Sequence, residues 1–192
     1  MGLDNYNSSL YENKEIGIKK TKIPGLLSID LVLNGDERGW FKENFQREKL
    51  VAQGFPRDFQ PIQMNVSANK ERGVTRGIHA EPWNKYISIQ SGKIFTAIVD
   101  LRKGKSFGVV ETLEMTPGKA MYVPKGCGNA FQTLTSDVLY TYLVDAHWSP
   151  EAKYTLVNLA DPELNISWPI PLNEAIISDK DKGHPLLKDL TL

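Results

Sequence analysis

Short apolar runs, some alternating and some continuous, recur along most of the chain and are cut by Gly, Pro, Asn and Asp. This is the punctuation of β-strands. Leu26–Leu33, Tyr86–Gln90, Ile94–Leu101, Val109–Met115, Ala120–Val123, Ala130–Leu134 and Val138–Val144 read as strands, most of them separated by two to seven residues. Only Arg47–Gln53 carries a clear helical pattern. Many short strands at this spacing predict an all-β fold, an antiparallel sandwich or barrel with the jelly roll in first place. No linker, repeat or low-complexity segment divides the chain, so one domain over 1–192 is expected. It has a polar N-terminal extension over 1–20 and an irregular C-terminal wrap over 162–192.

Alternate residues of a strand share a face. In Val138–Val144 this groups Tyr140 and Tyr142 with Val138 and Val144, and in Ile94–Leu101 it groups Thr96 and Asp100 with Ile94 and Ile98. Polar groups on an apolar inward face suggest a cavity that holds something; the reverse orientation would leave them facing solvent.

Composition narrows the partners. The 192 residues are 41% hydrophobic and 24% charged, with formal net charge zero, which describes a soluble domain able to bury a core. Balanced charge without a Lys/Arg block argues against nucleic acid or an anionic membrane, and leaves room for a small acidic ligand. The single cysteine, Cys127, excludes an intramolecular disulfide, fits a reducing compartment, and reads as a small buried hydrophobe. Met1–Asn13 is polar, carries Asp4 and Glu12, and has no signal-peptide pattern; Tyr6 stands where myristoylation wants Ser or Thr. No apolar run reaches the roughly 20 residues that span a bilayer. A cytoplasmic location is expected.

The chemistry concentrates in Arg76-Gly77-Ile78-His79-Ala80-Glu81-Pro82-Trp83-Asn84-Lys85-Tyr86, where one of only three histidines lies between two cations. Strict alternation puts Arg76 and His79 on opposite faces. A bulge at Gly77 would bring them together. A metal site needs about three converging ligands, and with no His-x-His pair and with His147 and His184 far off in sequence, none is expected. No Gly-x-Ser-x-Gly elbow marks a serine nucleophile. General acid–base chemistry remains: a histidine as base, a tyrosine as proton donor, and a lysine to stabilise a developing enolate oxygen.

Eight motifs then occur in a familiar order: Asp36-Glu37-Arg38-Gly39-Trp40-Phe41-Lys42-Glu43, Gln63-x-Asn65-x-Ser67, Arg76-Gly77-Ile78-His79, Val99-Asp100-Leu101-Arg102, Ser106-Phe107-Gly108, Val123-Pro124-Lys125-Gly126, Ile166-Ser167-Trp168-Pro169 and Ser178-Asp179-Lys180-Asp181. From about Ile23 to Leu190 the chain resembles the dTDP-4-dehydrorhamnose 3,5-epimerases. The resemblance implies a cupin-like jelly roll, a homodimer, no metal or organic cofactor, and epimerisation of dTDP-4-dehydro-6-deoxy-D-glucose at C3 and C5. It implies that His79 is the base, Asp181 its dyad partner, Lys85 the enolate stabiliser and Tyr142 the acid on the opposite face. Tyr142 is preferred to Tyr140 because counting forward from Thr133-Leu134 and back from Ser149-Pro150 both reach it. Arg38 and Arg76 are expected to hold the diphosphate, and Phe41, Glu43, Gln63, Asn65 and Trp148 the nucleotide and sugar. A pathway reductase would take the product.

Several positions depart from the commonest family pattern. Asn129 replaces a histidine, Thr96 stands where many members carry aspartate, His147-Trp148 replace two tyrosines, and Lys85 follows His79 by only six residues. These departures keep two alternatives open: an epimerase of one carbon only, C5 or C3, and a non-catalytic jelly roll that binds nucleotide sugars.

Overall fold

The structure, a computed structural model, describes residues 15–190. The reading of Met1–Asn13 lies outside the described residues. Among the described residues thirteen strands, β1 to β13, form two large antiparallel sheets and a hairpin. The larger sheet runs β1 (Gly17–Lys20), β2 (Leu27–Asp30), β10 (Lys119–Val123), β7 (Lys85–Ser91), β12 (Val138–Val144), β5 (Gln63–Asn69). The smaller runs β13 (Thr155–Leu156), β6 (Thr75–Ala80), β11 (Cys127–Thr133), β8 (Ile94–Asp100), β9 (Val110–Met115). Apart from β1–β2 and β8–β9, neighbouring strands of the two sheets are not consecutive along the chain, as a jelly roll requires. β3 (Asn34–Asp36) and β4 (Gly39–Phe41) make the separate hairpin, while α1 (Arg47–Ala52) and α2 (Asp179–Lys182) are short.

The seven expected strands and the expected helix are present with ends shifted by a few residues. β1, β5, β13 and the hairpin were not expected, and β6 was foreseen only as the segment around the Gly77 bulge. β1 lies inside the predicted N-terminal extension, where Gly17–Lys20 pair along β2. β5 was illegible because its apolar residues point outward: Met64 and Val66 are 57% and 61% exposed. β6 did not stand out as an apolar run because its glycine and histidine interrupt it.

Three apolar clusters give the layers. Between the sheets, Ile87 and Ile89 of β7 meet Ile94 and Ile98 of β8, with Met121, Phe131, Val138 and Tyr140. On the outer face of the larger sheet, Tyr86 and Tyr122 pack edge-on against Phe55, with Phe59 and Leu50 of α1 completing the cluster. The smaller sheet is covered on its outer face by the C-terminal wrap, where Ile78, Val99 and Ala130 meet Leu164, Trp168 and Leu187. Trp168 fixes this layer twice, packing its ring on Phe95 and donating its indole N–H to the Leu159 carbonyl. Both faces of β7 and β8 are therefore buried, which is why they read as continuous apolar runs.

Thr96 and Asp100 do not mark a ligand cavity. The Thr96 hydroxyl donates to the Ala130 carbonyl, and Asp100 accepts from Arg102 and Ser106 where β8 ends. Burial pushes the Asp100 carboxyl up, but these hydrogen bonds together hold it below its ordinary value. The parity of Val138–Val144 does lead to a cavity, through Tyr140 and Tyr142.

Candidate active site

A cavity of about 490 Å³ opens between the sheets, with His79 on β6 facing Tyr142 on β12. Lys85, Asn129 and Tyr140 lie deep in it, and Arg76 lines it as well.

The bulge expected at Gly77 is real and brings Arg76 and His79 together. Asn129 pairs with His79 and Phe131 with Arg76, so three steps along β6 span two along β11. The extra residue restores both side chains to one face. Only glycine fits here: φ is +131°, and an added Cβ would lie 2.4 Å from Ala130 Cβ. The freed Gly77 N–H donates to Asp181 Oδ2 at 3.2 Å, while Asp181 Oδ1 lies 3.0 Å from His79 Nε2. Asp181 is held from its own side by α2, where the Ser178 hydroxyl caps the helix by accepting the Asp181 N–H. The wrap thus delivers the carboxylate to a strand about a hundred residues earlier.

With Nε2–H given to Asp181, His79 keeps Nδ1 as the nitrogen free to take a proton. Burial lowers the His79 pKa below its ordinary value, and this outweighs the opposing pull of Asp181. The imidazole is therefore neutral near pH 7, the form that can accept a proton. Tyr142 is pushed the other way, to about 12, by burial and by the Glu81 charge, so it stays a phenol with a proton to give.

Lys85 is almost fully buried. Its Nζ lies 2.5 Å from Glu81 Oε2, donates to Asn129 Oδ1 at 3.2 Å, and stands 5.9 Å from the Tyr142 ring centre. Asn129 in turn donates to the Tyr140 hydroxyl at 3.3 Å. Tyr140 stacks on Phe131 with 4.4 Å between ring centres and is nearly closed to solvent. This supports the choice of Tyr142 as the phenol with access to a ligand.

The dTDP-4-dehydrorhamnose 3,5-epimerase family matches residues 20–189. The chain belongs to this family. A protein RmlC homolog of Streptococcus pyogenes serotype M6 is 47% identical over 185 residues, covering 93% of each chain. The structure of RmlC from Streptococcus suis in complex with dTDP-D-xylose superposes with a TM-score of 0.88 at 45% identity, covering 93% of this chain and 95% of that one. A dTDP-4-dehydro-6-deoxyglucose 3-epimerase from Streptomyces is 37% identical over 172 residues, 86% of each chain. The protein is thus a carbohydrate isomerase by family and an antiparallel jelly roll by fold.

Within this epimerase chain the structure gathers His79, Asp181, Lys85, Tyr142 and Arg76 into one site. Gln63 and Asn65 sit beside it on β5, Asn65 in register with Tyr142. Their side chains bond to each other, and Gln63 accepts the Trp148 backbone N–H at 2.9 Å. Trp148 itself is 59% exposed. Arg38, Phe41 and Glu43 are not brought to the cavity. Arg38 pairs with Asp36 on the hairpin, and Phe41 and Glu43 line a separate cavity in which Glu43 pairs with Lys49.

Two residues near the site were missed. Glu81 was quoted in the motif but given no role, although a carboxylate four residues before a buried lysine was the available signal. His184 was dismissed as distant, yet its ring lies 5.3 Å from that of His79 and its Nε2 3.6 Å from Asp181 Oδ1. Ligand atoms of His79, Asp181 and His184 lie within 4.8 Å of one another, so the expectation that His184 stands apart from His79 is corrected. No spacing rule could have foreseen this, because it follows from how the wrap docks. Both Asp181 oxygens are engaged by hydrogen bonds, and the cluster has the form of a dyad with a second histidine behind it.

Proposed function

We propose that this chain converts dTDP-4-dehydro-6-deoxy-D-glucose to dTDP-4-dehydro-L-rhamnose by inverting C3 and C5. The observation that carries this reading is one cavity with a carboxylate-held, neutral imidazole on one sheet and a neutral phenol on the other. A carbon alpha to the C4 ketone gives its proton to His79 Nδ1, and the electron pair moves into an enolate whose oxygen Lys85 stabilises. Tyr142 returns a proton from the opposite face, inverting the centre. An imidazolium and a phenolate are left to reset by exchange with water, and the second carbon repeats the cycle. One proton leaves and one arrives at each carbon, so the balance requires no redox group.

Arg76, with its Nε held by Asn69 at 3.0 Å, is assigned to the diphosphate, and Gln63, Asn65 and Trp148 to the nucleotide and sugar. We also assign Arg38, Phe41 and Glu43 to the nucleotide, through a homodimer. β5 is an edge strand that exposes Met64 and Val66, an apolar edge that proteins ordinarily cover. A second copy seated there would bring its own hairpin to the cavity. Mixing two inactive variants, Arg38→Ala/Phe41→Ala and His79→Ala, would then regenerate active hybrid sites; unrestored activity refutes the shared site. One domain over the whole chain, a cytoplasmic location and a reductase that consumes the product complete the proposal. Among the described residues no helix is long and apolar enough to cross a membrane.

The 3-epimerase relative favours a second reading, inversion at C3 alone. Incubation with dTDP-4-dehydro-6-deoxyglucose in deuterated water, followed by NMR, separates the two. Deuterium at C3 and C5 supports the first reading, deuterium at C3 alone the second, and deuterium at C5 alone or at neither carbon refutes both.

A further inference from the structure

Glu81 lies in the turn between β6 and β7, two residues after His79, and is the only carboxylate among the residues lining the cavity. Its side chain is 10% exposed. One oxygen, Oε2, serves two partners: the Trp83 indole N–H at 2.9 Å and the Lys85 ammonium at 2.5 Å. From Lys85 the chain of contacts continues through Asn129 to Tyr140. A carboxylate clamped from two sides inside a cavity is not a solvated surface charge, and its neighbours are the cation and the phenol of the proposed reaction.

An isolated buried ammonium sheds its proton rather than bear the cost of desolvation. Burial does push Lys85 down, and Glu81 is the group that opposes it, by charge and by hydrogen bond. The same carboxylate adds to burial in holding Tyr142 up, at about 12. Facing Lys85 from the packed elements are His79 and Arg76 of β6, Glu81, and Tyr140 and Tyr142 of β12; Tyr154 also faces Tyr142. Glu81 alone among them can neutralise the lysine.

We propose that Glu81 is a positioning residue for the epimerisation: clamped between Trp83 and Lys85, its carboxylate keeps the lysine charged and aimed at the ketone oxygen and keeps Tyr142 a proton donor. The proposal rests on the roles given above to Lys85 and Tyr142.

The test is the pH–rate profile of Glu81→Gln on dTDP-4-dehydro-6-deoxyglucose. Without the negative charge, Lys85 and Tyr142 both lose their protons at lower pH, so the alkaline limb of kcat moves down by about one pH unit or more. The acid limb, set by His79, moves by less than about 0.3 unit, and KM changes less than about threefold because the ground state is little affected. A merely structural role lowers kcat evenly and leaves the limb in place, and that result overturns the proposal. Glu81→Asp keeps the charge at longer reach, so its limb moves in the same direction by a smaller amount. Should Glu81→Gln fail to fold, the Glu81→Asp limb decides, a shift supporting the proposal and an unmoved limb refuting it. Lys85→Met keeps the two failures apart. If Lys85→Met retains the wild-type profile, the lysine's own role is wrong. If it loses turnover while Glu81→Gln keeps the wild-type limb, only the inference about Glu81 falls.

Discussion

Replacing Gly77 with alanine tests whether the bulge in β6 builds the site. The new Cβ would lie 2.4 Å from Ala130 Cβ and 2.7 Å from Ala130 Cα. Carbon contacts settle near 3.5–4.0 Å, so β6 and β11 must part by roughly 1 Å. A left-handed φ of +131° adds strain of about 1–3 kcal/mol for a residue with a side chain, and overpacking adds a similar ~1–3 kcal/mol. In a chain of this size, at about 2–4 °C per kcal/mol, the sum lowers Tm by roughly 4–24 °C. Activity suffers separately, because the Gly77 N–H holds Asp181 and His79 follows two residues later. A misplacement of about 1 Å can reduce turnover by ~10²-fold. Gly54→Ala is the comparison: its φ is +98° with nothing within 4 Å of the new Cβ, so it carries backbone strain without the clash and leaves turnover unchanged. Differential scanning fluorimetry and initial rates read both effects. A Gly77→Ala protein melting within about 2 °C of wild type, less than 1 kcal/mol would produce, or turning over at more than half its rate, refutes the reasoning.

Other outcomes follow from the same geometry. Asp181→Asn frees the His79 tautomer and is expected to lower kcat by about 10²–10⁴ with little change in KM; steady-state kinetics retaining most of kcat would remove the dyad from the mechanism. Since burial holds the His79 pKa below its ordinary value and only the neutral ring is a base, activity is lost as pH falls through that lowered value. The acid limb of kcat/KM therefore has its midpoint below the ordinary histidine value of about 6.5, and a midpoint above it contradicts a neutral, buried base. Tyr142→Phe stops proton return but spares removal, so deuterium from solvent enters recovered substrate while product formation collapses; equal loss of exchange and product would assign Tyr142 otherwise. Cys127 is buried with its pKa raised to about 12 by burial, so the native protein should resist a disulfide-forming thiol reagent until denaturant unfolds it.

How much of the site the sequence disclosed depends on the reach of each interaction. The strands buried on both faces were legible because apolar runs bounded by turn residues need no partner to be recognised; β5 and β6 were not, since exposure and a bulge broke their patterns. The bulge itself was readable from one glycine between an arginine and a histidine, because a backbone conformation barred to other residues leaves its mark in sequence. A histidine, a lysine and nearby tyrosines pointed to acid–base work, the motif order disclosed the family, and the resemblance singled out Tyr142 and Asp181. Tertiary structure alone decided the rest. Docking of the C-terminal wrap through Trp168 and Leu187 carried Asp181 to His79 and set His184 behind them. The fold likewise bonded Glu81 to Lys85 and separated the β3–β4 hairpin from the cavity it was expected to line. Each of these depends on contacts between chain segments or on how a local pair is buried, and a local pattern of residues specifies neither.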